Sequence, residues 1–422
     1  MQLTYKVRGG IPLVGDVVVG GSKNAALPLI AASLLATEGE TVLRNVPDLR
    51  DVRAMLKILD YLGAQTSFEE GTVRIRAGTA QSKAIPGDLC ASIRGSILFL
   101  GPLLARFGVA EMAYPGGDVI GKRPVGAHVE AFMQMGAEDM STSDVLHLQG
   151  TLEPGHVILP EFSVTATENV VMAASLLPGA TRIDLAASEP HVQEVEHFME
   201  AMGAKIDGLG QHTVTVHGKT PLRGAEHSIT FDYLEAGVFI LGALISRGKI
   251  RLHGVDREHL LSFLDALRRF GAVWKYDAEE QVLFIDGELS SLKAMNVRTN
   301  IFPGFPSDLQ APMGVAMMQA KGVSRMFERL YEGRLAYLYE LEKMGAHVEI
   351  LNAHQALIIG PSPLRGRVVA SNDIRAGAAM VLAALCAEGD TTITDIRYIE
   401  RGYDRLDQKL RSLGAKIERM ET

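Results

Sequence analysis

The sequence predicts an α/β protein of two lobes, each built of three repeated α/β units, six units in all. Three observations predict it: two glycine markers that recur with one period, six segments that are apolar almost all round, and a strand-like run after each of those segments. A Gly-Ala pair ends an amphipathic segment at Gly63, Gly136, Gly203, Gly271, Gly345 and Gly414, with spacings of 73, 67, 68, 74 and 69 residues. A second series interleaves at Gly39, Gly108, Gly179, Gly248, Gly322 and Gly389, with spacings of 69, 71, 69, 74 and 67. Two independent markers sharing one period identify an internal repeat.

The elements follow in order from these markers. Glycine reaches the left-handed conformation that ends a helix, so both series are read as helix C-termini. Each unit then runs apolar helix, Gly, strand, loop, amphipathic helix, Gly-Ala and further strands. The apolar helices are read over Lys23 to Ala36, Gly95 to Ala105, Glu168 to Leu177, Leu234 to Ile245, Leu309 to Gln319 and Ile374 to Ala387. Lacking a polar face, they are expected to be buried. The second helices, such as Asp51 to Leu62 and Arg257 to Phe270, alternate apolar and charged positions at helical spacing and are expected nearer the surface. A repeat of this length exceeds the common solenoid units of roughly 20–50 residues, so six buried helices are read as two cores of three. Unit junctions fall near residues 21, 90, 162, 231, 306 and 372.

Composition narrows the class. Lys plus Arg total 42 against 50 Asp plus Glu, a formal charge of −8, which argues against nucleic acid as a partner. Two cysteines, Cys90 and Cys386, cannot make a disulfide framework or a cysteine-only zinc site, and a reducing cytoplasm fits best. The longest apolar stretches, such as Ala25 to Ala36, fall short of the roughly 18 residues of a membrane span, and the N-terminus has no secretory h-region. There is no phosphate-loop motif, no His-Glu-x-x-His zinc signature and no Gly-x-Ser-x-Gly elbow, so no metal and no cofactor is expected. Any chemistry must use carboxylates and cations.

The helix starts carry such groups. They read Gly21-Ser22-Lys23-Asn24, Ser92-Ile93-Arg94 and Asn372-Asp373-Ile374-Arg375, with Phe162-Ser163-Val164-Thr165 and Pro306-Ser307-Asp308 beside them. Ser, Asn and Asp serve as ordinary N-caps. Cations are unfavourable at the positive end of a helix dipole, so three starts with a nearby Lys or Arg suggest a compensating small anion, which helix N-termini bind well. Plain surface charge is the competing account. Three loops are also loaded: Tyr114 to Pro124, Tyr331 to Arg334 and Ile399 to Tyr403.

The segments Gly21 to Pro28, Arg94 to Gly108, Gly116 to Pro124, Asn296 to Thr299, Phe305 to Asp308, Asp373 to Arg375 and Arg401 to Tyr403 resemble the enolpyruvyl transferases, and within them the branch whose acceptor is UDP-N-acetylglucosamine. The resemblance implies an inside-out α/β barrel in each lobe, with residues 1–20 plus 232–422 as the first lobe, 21–231 as the second, and a ligand cleft between them. It implies transfer of the enolpyruvyl group of phosphoenolpyruvate to the sugar 3-hydroxyl with release of phosphate, the first committed step of peptidoglycan precursor synthesis. By the same resemblance, Lys23, Arg94, Arg123 and Arg401 surround phosphoenolpyruvate, and Asn24 and Asp308 meet the amino sugar. Arg123, Pro124, Val125, Gly126 and Ala127, with Glu161, Phe162, Ser163, Val164 and Leu330, complete the sugar-nucleotide site. Arg334, Asp373 and Arg375 belong to the opposite lobe. Asp308 serves as base or orients the hydroxyl.

The chain departs from the family pattern at four places. Asp118 stands where cysteine is frequent, Gly126 replaces an acidic residue, Glu161 stands for a Lys and Tyr233 for an Arg. Asp118 is then expected to be the proton donor and to make the enzyme insensitive to fosfomycin, an epoxide that alkylates the cysteine. Two competing expectations are enolpyruvyl transfer to shikimate 3-phosphate and a sugar-nucleotide-binding paralogue without turnover.

Overall fold

The computed structural model describes residues 3–117, 121 and 123–421. Two compact units emerge. One comprises the residues up to Gly20 together with those from Phe231 onward, and the other comprises Gly21–Gly117 and Arg123–Thr230. Each has its own apolar core.

Three buried helices form the centre of each core. In the unit that contains residues 21–117 they are Lys23–Ala32, Leu100–Phe107 with its preceding 3-10 turn Arg94–Phe99, and Val164–Leu176. In the other they are Tyr233–Ile245, Gln310–Met318 with the turn Ser307–Leu309, and Ile374–Cys386. All thirteen residues of Tyr233–Ile245 and all nine of Gln310–Met318 are buried. A helix with no polar side can be placed only inside protein, so the strands are left to the outside.

Among the described residues, six of the seven sheets share one pattern; the seventh is the two-stranded pairing of Leu222–Arg223 with Ala36–Glu38. A first strand runs parallel to the second, and a hairpin completes the sheet antiparallel. The order Asn296–Arg298, Gly322–Phe327, Gln355–Gly360, His347–Asn352 shows it in full. In one unit the first strand is reduced to the single parallel bridge Ile85↔Met112. Three sheets are completed from far along the chain. Val14–Val18 runs parallel to Lys249–His253, and Glu226–Ser228 runs parallel to Thr41–Arg44. Leu3–Arg8 pairs with both Asp390–Thr394 and Lys416–Glu421, and so supplies the last hairpin strand of the sixth unit.

The Gly-Ala glycines all have φ between 91° and 122° and lie at a helix C-cap or one residue past it. The second glycine series is corrected by the structure. Only Gly108 is itself a helix C-cap; Gly179 and Gly322 open strands, and Gly39 follows the short strand Ala36–Glu38. Gly248 does not have a positive φ. Arg247 takes that role at φ 56°, and Gly248 is needed because a Cβ there would collide with the Leu13 carbonyl.

Asn169, fully buried, locks two of the central helices together. Its Oδ1 accepts the Gly101 N–H at 2.7 Å, and its Nδ2 donates to the carbonyls of Ile97 at 3.1 Å and Thr165 at 2.9 Å. The approach is so close that a Cβ on Gly101 would overlap the Asn169 carbonyl oxygen. Overpacking at such a contact costs about 1–3 kcal/mol. Gly101→Ala is therefore expected to lower the unfolding free energy by that amount, seen as a lower urea midpoint with an unchanged m-value, and a midpoint equal to that of the unaltered protein would remove the constraint.

Candidate functional site

The polar residues gather at the helix starts of each unit. In the unit of residues 21–117, Ser22 caps Lys23–Ala32 by accepting the Ala25 N–H at 3.3 Å. Lys23 is 8% exposed, and its Nζ lies 3.4 Å from Asp51 Oδ2. The sequence reading missed this partner, which enters from the next helix, Arg50–Leu62. Arg94 begins the second helix start after Ile93, whose side chain caps nothing. Its Nη2 donates to the Arg123 carbonyl at 2.6 Å and to that of Pro124 at 3.3 Å. The structure thus brings Arg94, Arg123 and Pro124 together.

The glycines ahead of them are steric. A Cβ on Gly116 would overlap the Ala91 carbonyl, and one on Gly117, at φ 125°, would lie 2.9 Å from Arg94 Cβ. The loop can lie on the Ala91–Arg94 backbone only with glycine at both positions. Asp118, Val119, Ile120 and Lys122 lie outside the described residues, and so does the expectation placed on Asp118.

The helix Gly126–Gln134 joins this group to the third helix start. His128, 2% exposed, has Nε2 2.9 Å from Thr165 Oγ1. Ser163 caps Val164–Leu176 by accepting the Ala166 N–H at 3.4 Å. The segments holding Arg123 to Ala127 and Glu161 to Val164 therefore adjoin. Phe162 packs edge-on against His212 with centroids 4.7 Å apart. Burial, helped by the nearby Arg94 cation, pushes the His128 imidazole down to about 4, so it is neutral at pH 7. Neither Asp51 nor His128 was read as a site residue from the sequence. The available signal was a charged or polar group at a helical position that the apolar period places inside.

In the other unit, two of the three helix starts are capped by aspartate. Asp232 accepts the Leu234 and Glu235 N–H groups, and Asp373 accepts those of Arg375 and Ala376. Asp308, at the third start, turns its carboxylate to two arginines instead. Arg375 Nε and Nη2 reach Asp308 Oδ2 at 3.0 and 2.8 Å, and Arg334 Nη1 reaches Oδ1 at 2.7 Å. Burial pushes the Asp308 carboxyl up, but Arg375 and Arg334 together more than reverse this and hold it well below the usual carboxylate range. Arg375 also donates from Nη1 to the Tyr403 hydroxyl at 3.0 Å, and Arg334 Nη1 donates to Ser307 Oγ at 2.8 Å. The buried Nε–H of Arg334 has no hydrogen-bond partner among the described residues. Asp308, Arg334, Arg375 and the Asp373 cap form one cluster. Arg401, in the turn Ile399–Gly402, is half-buried, and Leu330 is 40% exposed.

Among the described residues, no group of three or more His, Cys, Asp and Glu is placed to hold a metal, and no helix is long and apolar enough to cross a membrane.

Comparison with known proteins adds to this geometry. The family described as EPSP synthase (3-phosphoshikimate 1-carboxyvinyltransferase) matches residues 7–410. A UDP-N-acetylglucosamine 1-carboxyvinyltransferase of Chlorobium phaeovibrioides is 39% identical over 418 residues, covering 98% of each chain. One from Magnetococcus marinus is 40% identical over 416 residues with the same coverage. Among solved structures, the enolpyruvyl transferase NikO from Streptomyces tendae aligns with a TM-score of 0.90 at 23% identity, covering 100% of this chain and 99% of that one. An EPSP synthase from Acinetobacter baumannii aligns with a TM-score of 0.76 at 20% identity over the whole of both chains.

The Asp308 cluster makes stability depend on pH. An aspartate held low in the folded state contributes stability that is present above its unfolded value of about 4 and is lost as pH falls below it. Asp308→Asn leaves two nearly buried guanidiniums without their anion, a loss on the order of 3 kcal/mol at pH 7. The gap in urea stability between the two proteins is expected to narrow progressively below about pH 4. A gap that stays constant down to pH 2 would contradict the assignment.

Proposed function

The chain belongs to the EPSP synthase family, the enolpyruvyl transferases, and from that premise we propose that it transfers the enolpyruvyl group of phosphoenolpyruvate to the 3-hydroxyl of UDP-N-acetylglucosamine and releases phosphate. The observation that carries the choice of acceptor is the near-40% identity, over almost the full length, to curated enzymes of that activity.

The chemistry asks for two kinds of group. Phosphoenolpyruvate is a compact multiple anion, so cations must converge on it. Lys23, Arg94, Arg123 and Arg401 fill that role in this proposal. An ammonium carries three donors, so Lys23 can hold Asp51 with one and keep two for the substrate. The unspent Nε–H of Arg334 supplies a further donor for an anion. Transfer begins when an acid protonates the methylene carbon and positive charge develops at C2. The sugar oxygen then bonds to C2 and loses its proton. Return of a proton from the new methyl group expels phosphate and restores the double bond.

Asp308 is assigned to orienting the sugar hydroxyl rather than removing its proton. Both of its oxygens are engaged by guanidiniums that favour the carboxylate, which leaves it a weak base. Asn24, Val125, Gly126, Ala127, Glu161, Phe162, Ser163, Val164 and Leu330 are assigned to the sugar nucleotide, and Asp118 to proton donation.

Phosphate release with each acceptor tests the reading. Turnover with UDP-N-acetylglucosamine is expected, and turnover only with shikimate 3-phosphate, or with neither, would overturn it. Lys23→Ala is expected to lose roughly a hundredfold or more in turnover while staying folded; near-normal phosphate release would remove Lys23 from the site. An ordinary aspartate titrates near 4 and a cysteine near 8.5, and a carboxylic acid attacks an epoxide far more slowly than a thiolate does. The unaltered protein should therefore survive fosfomycin, Asp118→Cys should become sensitive, and Asp118→Asn should lose most turnover. Rapid inactivation of the unaltered protein, or full activity of Asp118→Asn, would refute the role.

A further inference from the structure

Glu328 was not singled out by sequence and has no part in the chemistry above, yet it is among the most completely engaged side chains of its unit. It follows the strand Gly322–Phe327 and is fully buried. Its Oε2 accepts the Ser307 hydroxyl at 2.6 Å. Its Oε1 accepts the Thr299 hydroxyl at 3.0 Å and the backbone N–H groups of Leu330 at 2.7 Å and Tyr331 at 3.3 Å. Its own carbonyl receives His354 Nδ1 at 2.8 Å. A buried carboxylate needs several donors to be tolerated, and this one has four.

The Ser307 bond has a directional consequence. A hydroxyl has one proton and two lone pairs. Because that proton is committed to Glu328, Ser307 Oγ presents only lone pairs to Arg334, whose Nη1–H it accepts at 2.8 Å. The same Nη1 reaches Asp308 Oδ1 at 2.7 Å. The chain Glu328, Ser307, Arg334, Asp308 is therefore polarised from one end. The other oxygen of Glu328 fixes the backbone at Leu330, which is also assigned to the sugar nucleotide.

We propose that Glu328 is a positioning residue for the acceptor: through Ser307 it orients Arg334 against Asp308, and through the Leu330 and Tyr331 amides it sets the adjoining loop. The proposal rests on the reading that Asp308 and Leu330 meet the sugar nucleotide.

Glu328→Gln is the informative change. A glutamine keeps one acceptor oxygen. With that oxygen on the loop amides, its NH2 faces Ser307 and donates to it, turning the hydroxyl proton toward Arg334 and setting donor against donor. Ser307→Ala removes the link while leaving the other three donors to Glu328 in place. In steady-state phosphate release, Ser307→Ala is expected to raise KM for UDP-N-acetylglucosamine about tenfold and Glu328→Gln to raise it further, with KM for phosphoenolpyruvate within about twofold. The double variant should be no worse than Glu328→Gln alone, because the path to Arg334 is already cut. Equal changes in both KM values, or strictly additive effects, would reduce Glu328 to a purely structural role and overturn the proposal. If Glu328→Gln does not fold, the KM split of Ser307→Ala decides. If the unaltered protein shows no turnover with this acceptor, the functional reading falls. The relay is then judged by urea unfolding of Glu328→Gln, Arg334→Met and their combination: about a tenfold coupling in the unfolding constant supports it, and additivity overturns it.

Discussion

A helix that is apolar on every side cannot lie on a surface, and six such helices set the plan of this protein. Gathered three to a core, they leave the outside to strands and amphipathic helices. The same packing aligns function. Asn169 ties the start of Val164–Leu176 to the turn Arg94–Phe99 and to Gly101, so the polar first turns of neighbouring helices come together at one end. Each first turn brings free N–H groups and a positive dipole end. The polar clusters are where they are because burying the rest of each helix puts its start there.

The two units use that common frame with opposite chemistry. In one, Ser22 and Ser163 satisfy their helix starts with neutral caps, and Lys23, Arg94 and Arg123 add positive charge. In the other, Asp232 and Asp373 cap with charge, and the arginines answer an aspartate. In each unit one start, after Ile93 or after Pro306, has no side-chain cap and opens as a 3-10 turn. Repetition makes the exception visible. Asp308 has the right residue type for a cap beside its helix start, and its carboxylate is turned to Arg334 and Arg375 instead.

The repeat, the six buried helices and the amphipathic second helices were legible because periodicity is a local property of the chain. The segment Leu234 to Ile245 differs by one residue from the helix Tyr233–Ile245. The second glycine series was misread in part because a glycine required by close backbone approach, such as Gly248, looks in sequence like one required by positive φ. The motif residues of the candidate site were legible as residue types at helix starts. Their partners were not. Asp51, His128 and Glu328 act across 28, 37 and 21 residues of sequence on Lys23, Thr165 and Ser307, and no local pattern records which buried polar group will find which neighbour.

The sixth repeat is finished by Leu3–Arg8, which lies between Asp390–Thr394 and Lys416–Glu421 in its sheet. The strand that finishes the sixth repeat thus precedes the first repeat along the chain. During synthesis the unit of residues 21–117 and 123–230 has all its strands once residue 230 has emerged. Leu3–Arg8 must wait for Asp390–Thr394 and Lys416–Glu421. Closing so long a loop carries a large entropic cost before any contact rewards it. Domains assemble as units during synthesis, so one unit can mature while Leu3–Arg8 and Val14–Val18 of the other still lack their partners, and unpaired strand edges of that kind are prone to aggregation.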